Sequence, residues 1–301
     1  MNREAKKVLF VINKYSGMGY QTGLEGRMLD TCEKNNAECS IEYTQRRGHA
    51  ISLASDAVKN GFDFVVAVGG DGTINEVARG LLNSQTPMGI LPRGSGNGLA
   101  RHLGIPLTLT DAIDNLFDHN VIRIDTLSIN NKLSLNVSGI GFDGHVANLF
   151  ANRKIRGLAG YVRISVLEYF RFQEFDAEVS IDNNVLLRKA FIIAAANSSQ
   201  YGNNIKIAPL ASVRDGMLHL SVMKKIPLYR LDVIFSFLKG TLPNSKKFEM
   251  LEGKEVRIKT GEKVAYHIDG EPSGSDDTFV IHLKPASLSL LIPNGVRQTK
   301  V

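Results

Sequence analysis

Short apolar runs alternate with stretches of helical spacing over roughly the first 126 residues. Val8-Leu-Phe-Val-Ile12, Phe64-Val-Val-Ala-Val68 and Met88-Gly-Ile-Leu91 have no polar face, the pattern of buried parallel strands. Residues 40–44 read as a further strand. Residues 24–36, 49–59 and 111–117 read as helices, and 73–82 places Ile74, Val77, Ala78 and Leu81 at helical spacing. Thr73-x-x-Glu76 predicts a capping box at the start of that helix. Repeated βα units of this kind predict a parallel sheet with helices on both faces.

The pattern then changes. Leu127-Ser-Ile-Asn-Asn-Lys-Leu-Ser-Leu135 and Val179-Ser-Ile-Asp-Asn-Asn-Val-Leu-Leu187 each place turn residues between alternating segments, a hairpin signal. Residues 217–222, 255–259, 278–283 and 288–292 read as strands, and 146–170 and 227–238 as helices. The expected fold is therefore α/β plus all-β. A parallel-sheet domain covers residues 1–126 and an antiparallel β-rich domain covers 127–301, with the boundary near Asp125.

Composition adds limits. The 301 residues are 43% hydrophobic and 22% charged, which excludes disordered and fibrous classes. Cys32 and Cys39 are too few for a disulfide scaffold, and they match no zinc spacing. No apolar run is long enough for a membrane span, and the five apolar residues after Lys7 are too few for a signal peptide. The expected location is cytoplasmic. With 36 basic and 30 acidic residues, the net charge of +6 leaves nucleic acid, an anionic membrane or a phosphorylated small molecule as partners. No nucleic-acid motif or aromatic-interleaved basic stripe supports the first.

Three strand-to-helix turns are rich in glycine: Asn13-Lys-Tyr-Ser-Gly-Met-Gly19, Gly69-Gly-Asp-Gly-Thr73 and Pro92-Arg-Gly-Ser-Gly-Asn-Gly98. Small residues let backbone N–H groups approach a ligand, and a helix N-terminus favours phosphate. Three such turns at one sheet edge suit an extended polyphosphate. Asp71 at a turn tip suits a carboxylate that binds Mg²⁺ or positions a hydroxyl. No Walker A string occurs. A dinucleotide fingerprint, Gly17-Met-Gly19 with Gly23 and Glu42, offers an NAD(P)-dependent oxidoreductase as the reading from a different class. It leaves the other two turns unexplained.

Gly69-Gly-Asp-Gly-Thr-Ile-Asn-Glu76, together with Leu91-Pro-x-Gly-Ser-Gly-Asn97-x-Leu-Ala-Arg101, resembles the diacylglycerol kinase catalytic-domain family, which includes soluble bacterial lipid kinases, sphingosine kinases and ceramide kinases and is a distant relative of NAD kinases. Asn13-x-x-Ser-Gly17, Thr44 with Gly48-His-Ala50, Ala208-Pro209 with Asp215-Gly-Met-Leu218, and Asp269-Gly-Glu271 extend the resemblance along essentially the whole chain. It implies a nucleotide-binding domain, a β-rich domain and a cleft between them. It also implies ATP, Mg²⁺ and γ-phosphoryl transfer to a lipid hydroxyl.

By the same resemblance, Asn13, Ser16, Gly17, Thr44, Gly70, Asp71, Gly72, Thr73, Asn75, Glu76, Gly94, Ser95 and Asn97 take nucleotide-contact positions. Asp71 resembles the organiser of metal and phosphates. Asp125 resembles an extension of that network, and Glu271 the general base. Ser212 and Met217 backbone oxygens with the Asp215 carboxylate resemble a structural Mg²⁺ site. Lys14, Ser95 and Gly98 stand where the family commonly has Pro, Thr and Asp. The Gly94–Ala100 string is nearer the sphingosine-kinase version, so a sphingoid-base kinase is an alternative, and an NAD kinase is another. A non-catalytic nucleotide or lipid sensor is a further option. Arg153-Lys-Ile-Arg156 before an aromatic-edged helix predicts peripheral contact with an anionic membrane surface holding the lipid substrate. Edge strands of the β domain leave a homodimer open.

Overall fold

The apolar runs of the first half form strands that are covered on both faces. The computed structural model describes residues 5–17, 23–151, 158–227, 229–241, 243 and 245–295. Its first elements are β1 (Lys6–Ile12), α1 (Leu24–Lys34), β2 (Ala37–Tyr43), α2 (His49–Lys59), β3 (Phe64–Gly69), α3 (Asp71–Leu81), β4 (Met88–Pro92), α4 (Gly98–His102) and α5 (Leu109–Asp114). The strands are parallel in the order β4-β3-β1-β2. Val8, Phe10, Ile12, Val66 and Val68 pack with Met28 of α1 and Ile113 of α5. Leu9, Val11, Val65 and Ala67, which alternate with them, are buried as well. From β1 the chain steps outward to β2, then crosses back to β3 on the other side. That reversal makes the β1/β3 position a topological switch point, where open α/β sheets bind ligands beyond the strands' carboxyl ends.

β5 (His119–Ile129) carries the chain out of this unit. The described residues up to Ile124 and from Ala286 onward form one compact unit, and Asp125–Pro285 forms the other. The second contains β6 (Lys132–Ser134), β7 (Val137–Gly141), α6 (Phe142–Ala151), α7 (Leu158–Arg171), β8 (Phe175–Ile181), β9 (Asn184–Ala190), β10 (Ile192–Ala196), β11 (Leu218–Met223), α8 (Leu231–Lys239), β12 (Phe248–Gly253) and β13 (Glu255–Ile268). β14 (Glu271–Pro293) begins in it. Strands are antiparallel along β12-β11-β10-β7-β13-β14, with β8 beside β13 and β9 beside β8. The Asn-Asn hairpin forms as expected: Asn130 and Asn131 take φ of 46° and 64° between β5 and β6.

Four expectations change. Residues 278–283 and 288–292 belong to one strand, β14. Its end returns to the first unit, where Leu290 pairs with Met88 and Leu291 joins the core of Val66 and Ile12, so residues 286–295 leave the expected 127–301 domain. The helix expected over 146–170 is two helices, α6 and α7. β7, β10 and β12 were not anticipated, because Gly-rich VSGIG, Ala-rich IIAAA and FEMLEG lack a strand signature. The basic run at 153–156, and Met18 and Gly19 of the dinucleotide fingerprint, lie outside the described residues.

Candidate functional site

All three glycine-rich turns follow the carboxyl ends of β1, β3 and β4, and they meet at the switch point. A Cβ on Gly70 would lie 3.1 Å from Ser16 Oγ and 3.3 Å from Gly94 Cα. A Cβ on Gly17, in the left-handed region at φ +75°, would lie 2.1 Å from the Arg93 carbonyl oxygen. At Gly17 only glycine permits this approach. The Asn13 N–H donates to Val68 O at 3.0 Å, and Arg93 N–H donates to Gly69 O at 2.7 Å, tying the turns to β3. The Arg93 side chain, which the sequence reading passed over, is buried and donates to Asn13 O at 3.3 Å.

Several candidate contacts hold the turns rather than face outward. Asn13 Nδ2 donates to Thr73 Oγ1 at 3.1 Å, and Thr73 is buried. Asn97 closes its own loop: Oδ1 accepts from Gly94 N–H and Nδ2 donates to Gly94 O, both at 2.8 Å. Its backbone N–H donates to Asp71 Oδ2 at 3.1 Å. The capping box does not form. α3 begins at Asp71 with Gly70 as N-cap, so Thr73 is already helical, and Glu76 instead accepts from Gly48 N–H at 2.8 Å. That bond brings in the turn after β2, where Thr44 N–H donates to Ile12 O at 2.9 Å. Ser95 is exposed, and Ser16, Asp71, Gly72 and Asn75 are partly exposed. Lys14 sits 3.7 Å from the centre of the Tyr43 ring, placing an ammonium beside the first turn.

The second unit presents Glu271 on a tight turn. Asp269 and Gly270 take φ of 50° and 86°, and exposed Glu271 opens β14 opposite Ile268. Asp269 anchors the turn. Its buried carboxylate accepts from Ser134 Oγ at 2.8 Å, Leu135 N–H at 2.9 Å and Asn136 N–H at 3.0 Å. Asp143, Tyr201 and His267 gather beside it; as isolated residues far apart in sequence, they gave no motif to find.

Asp125 opens this unit and is buried. Its Oδ2 accepts from Gly216 N–H at 2.8 Å, and its backbone N–H donates to Val213 O at 2.7 Å. The structure thus brings Asp125 to the turn of Ser212, Asp215 and Met217. The Asp215 carboxylate accepts from Ser212 N–H at 3.1 Å, Met217 N–H at 2.9 Å and His219 Nε2 at 2.8 Å. Burial pushes its pKa up, but the hydrogen bonds from His219 and the two backbone N–H groups outweigh this and hold it below the usual value. Among the described residues no group of three His, Cys, Asp or Glu side chains is placed to hold a metal ion.

Known protein families match both halves of the chain. The family model described as "Diacylglycerol kinase catalytic domain" matches residues 7–129, and "YegS C-terminal NAD kinase beta sandwich-like domain" matches 136–292. A diacylglycerol kinase of Bacillus subtilis is 28% identical over 280 residues, covering 89% of this chain and 91% of that protein. A "Probable lipid kinase YegS-like" of Chromohalobacter salexigens is 27% identical over 264 residues, 85% of this chain and 84% of that one. Two crystal structures from Bacillus anthracis str. Sterne, the second described as a diacylglycerol kinase, align with TM-scores of 0.82 and 0.76. Both are 20% identical and cover 98% of this chain and 100% of their own, which establishes a shared fold. With both halves matched in order, the chain belongs to the diacylglycerol kinase catalytic-domain family of lipid kinases.

Proposed function

We propose that this chain is an ATP- and Mg²⁺-dependent kinase that phosphorylates the hydroxyl of diacylglycerol or a related lipid. The observation that carries this reading is the convergence of Gly17, Gly70 and Gly94 at the switch point, where a Cβ at Gly17 would meet the Arg93 carbonyl and one at Gly70 or Gly94 would be crowded. Such a cradle offers backbone N–H groups and the α3 N-terminus to an extended polyphosphate. Its donor set suits Mg²⁺, which binds through one or two carboxylates plus substrate phosphate oxygens, with Asp71 as the protein ligand. When bound, the ion neutralises charge on the transferring group. Ser16, Thr44, Asn75 and Ser95 border the phosphates, while Asn13, Thr73, Glu76 and Asn97 keep the turns in register. Glu271 accepts the proton of the lipid hydroxyl as its oxygen bonds to the γ-phosphorus. The bond to the β–γ bridging oxygen breaks, its electron pair leaves on ADP, and the product is a lipid phosphate monoester.

The lipid is met at a membrane surface. Among the described residues no helix is long and apolar enough to cross a membrane. α7 instead exposes Val162, Val166 and Phe170 along one face, at 49%, 51% and 64%, with Arg163 and Arg171 exposed on the same helix. An apolar stripe flanked by cations suits an anionic headgroup layer.

The test is transfer from [γ-³²P]ATP with Mg²⁺ to phosphatidylcholine vesicles, with and without phosphatidylserine. The vesicles carry diacylglycerol, sphingosine or ceramide, and NAD⁺ is supplied in a parallel tube. Label in a lipid phosphate, rising with phosphatidylserine, is the expected result. Label only in NADP⁺ would replace it with the NAD-kinase reading that the second family model's description favours. Tight NAD(P)H binding with no ATP use would favour the oxidoreductase.

A further inference from the structure

Beside the Glu271 turn lies a buried polar chain that the transfer step above leaves unused. The Gly270 N–H donates to His267 Nδ1 at 3.1 Å. His267 Nε2 faces Asp143 Oδ2 at 3.3 Å, and the same oxygen accepts from the Tyr201 hydroxyl at 2.6 Å. Asp143 Oδ1 accepts from Gly144 N–H at 2.9 Å. His267 and Asp143 are only 3% and 7% exposed.

These contacts set the ring's tautomer. Nδ1 receives an N–H and so carries the lone pair; Nε2 then carries the proton, 3.3 Å from Asp143 Oδ2. Tyr201 stays a donor, since burial, and then the charge and hydrogen bond of Asp143, hold its pKa well above the usual tyrosine value. Gly139 of β7 lies opposite His267 of β13, and a Cβ there would sit 1.7 Å from Asp143 Oδ2. The missing side chain at 139 is what gives the Asp143 carboxylate its room. A hairpin turn requires none of this. Asp269 already anchors one side of the turn through Ser134, Leu135 and Asn136. The joint still to be fixed is Gly270, the most flexible residue type, directly before Glu271.

We propose that His267 is a positioning residue for Glu271. Asp143 and Tyr201 hold its ring from behind, and its Nδ1 holds the Gly270 N–H, so that the first residue of β14 presents its carboxylate in one direction. The proposal rests on the reading of Glu271 as the proton acceptor. A misplacement of about 1 Å costs a catalytic group on the order of 100-fold, so a bond this local has a kinetic consequence.

Three substitutions separate the two ring contacts. In His267→Asn the side-chain oxygen can take the Nδ1 role toward Gly270. In His267→Gln the amide reaches the Nε2 role toward Asp143. His267→Phe keeps an aromatic ring and neither polar contact. With dioctanoylglycerol as acceptor, kcat should fall about 10- to 100-fold in the Gln and Phe variants and much less in Asn, with KM for ATP unchanged. Amide hydrogen exchange at Gly270 should quicken in Gln and Phe only. In a Glu271→Gln background, His267→Phe should cost nothing further. Equal kcat losses in all three variants that track their Tm would overturn the proposal, as would a quickened Gly270 amide with unchanged kcat. If the variants fail to fold, ¹⁵N shifts of the wild-type ring decide: a protonated Nδ1 overturns it, and a bare Nδ1 with a slowly exchanging Gly270 amide supports it. Failure of the underlying reading looks different: Glu271→Gln turns over at the wild-type rate while the tautomer and exchange pattern persist.

Discussion

The glycine-rich turns of the first unit and the Asp269–Glu271 turn of the second both hold chemical groups at a strand end, but they are made of different materials. The first are made of absences. Glycines at 17, 70 and 94 bring three backbones together, and short side-chain bonds, such as Asn97 to its own loop, keep them there. The second is made of buried charge. Asp269 accepts three hydrogen bonds, and His267, Asp143 and Tyr201 form a chain behind it. A polyphosphate carries its own charge and needs N–H groups and space. A proton acceptor must be aimed, and aiming takes side chains drawn from several strands.

The sharpest way to test that contrast is at Glu271. Glu271→Gln should lower kcat by about 10²–10⁴-fold, the range of general-base catalysis, with ATP affinity little changed. Parallel measurement of turnover and of ATP binding by calorimetry checks both halves. Loss of ATP binding would show that the acceptor turn also serves the nucleotide, and the contrast would collapse.

Gly17→Ala strikes the other side. The new methyl meets the Arg93 carbonyl in a conformation that costs an L-residue about 1–2 kcal/mol before any clash is counted. The expected result is a drop in stability of about 2 kcal/mol or more and weaker ATP binding. Lipid binding, read by vesicle sedimentation, should hold. Unchanged ATP affinity would mean that the close approach of turns is architectural only.

The same contrast explains what could be read from the sequence. Each glycine-rich turn is contiguous, so Gly69–Thr73 and Pro92–Gly98 announce themselves between an apolar run and a helix. Even there, detail slipped. Thr73 and Glu76 have capping-box spacing, but the helix starts two residues earlier, and both side chains bond elsewhere. Asp269-Gly-Glu271 is contiguous and stands out as part of the family resemblance; the residues beside it do not, since 139, 143, 201 and 267 meet only through β7–β13 pairing and the segment after β10. Lys284-Pro285-Ala286 reads as a break, which hid the continuity of β14 and its return to the first unit. β10 is buried between β7 and β11, where burial overrides the weak strand preference of its alanines.

The smallest expected effect concerns Asp215, a carboxylate that behaves like those of the second unit on a turn the sequence reading assigned to a metal. Its pKa lies below the ordinary value because His219, Met217 N–H and Ser212 N–H together outweigh burial. A depressed carboxyl stabilises the fold above its unfolded pKa of about 3.9, and that contribution disappears as pH falls through the lower, folded value. Asp215→Asn should therefore cost stability at pH 7, at most about 1 kcal/mol once solvent screening of this half-exposed group is counted, and the gap to the wild type should narrow as pH falls below about 3.9. Urea midpoints above and below that pH measure this. A gap of equal size at both would show that shape rather than charge holds the turn. Repeating the pH 7 titration with Mg²⁺ tests the metal reading. A cation held by Asp215 with Ser212 and Met217 raises the wild-type midpoint and leaves the Asn variant where it was. A carboxylate already closed by three N–H donors leaves both unmoved, and the turn then belongs with Asp269 as one more place where the second unit anchors its backbone by a hydrogen-bonded carboxylate.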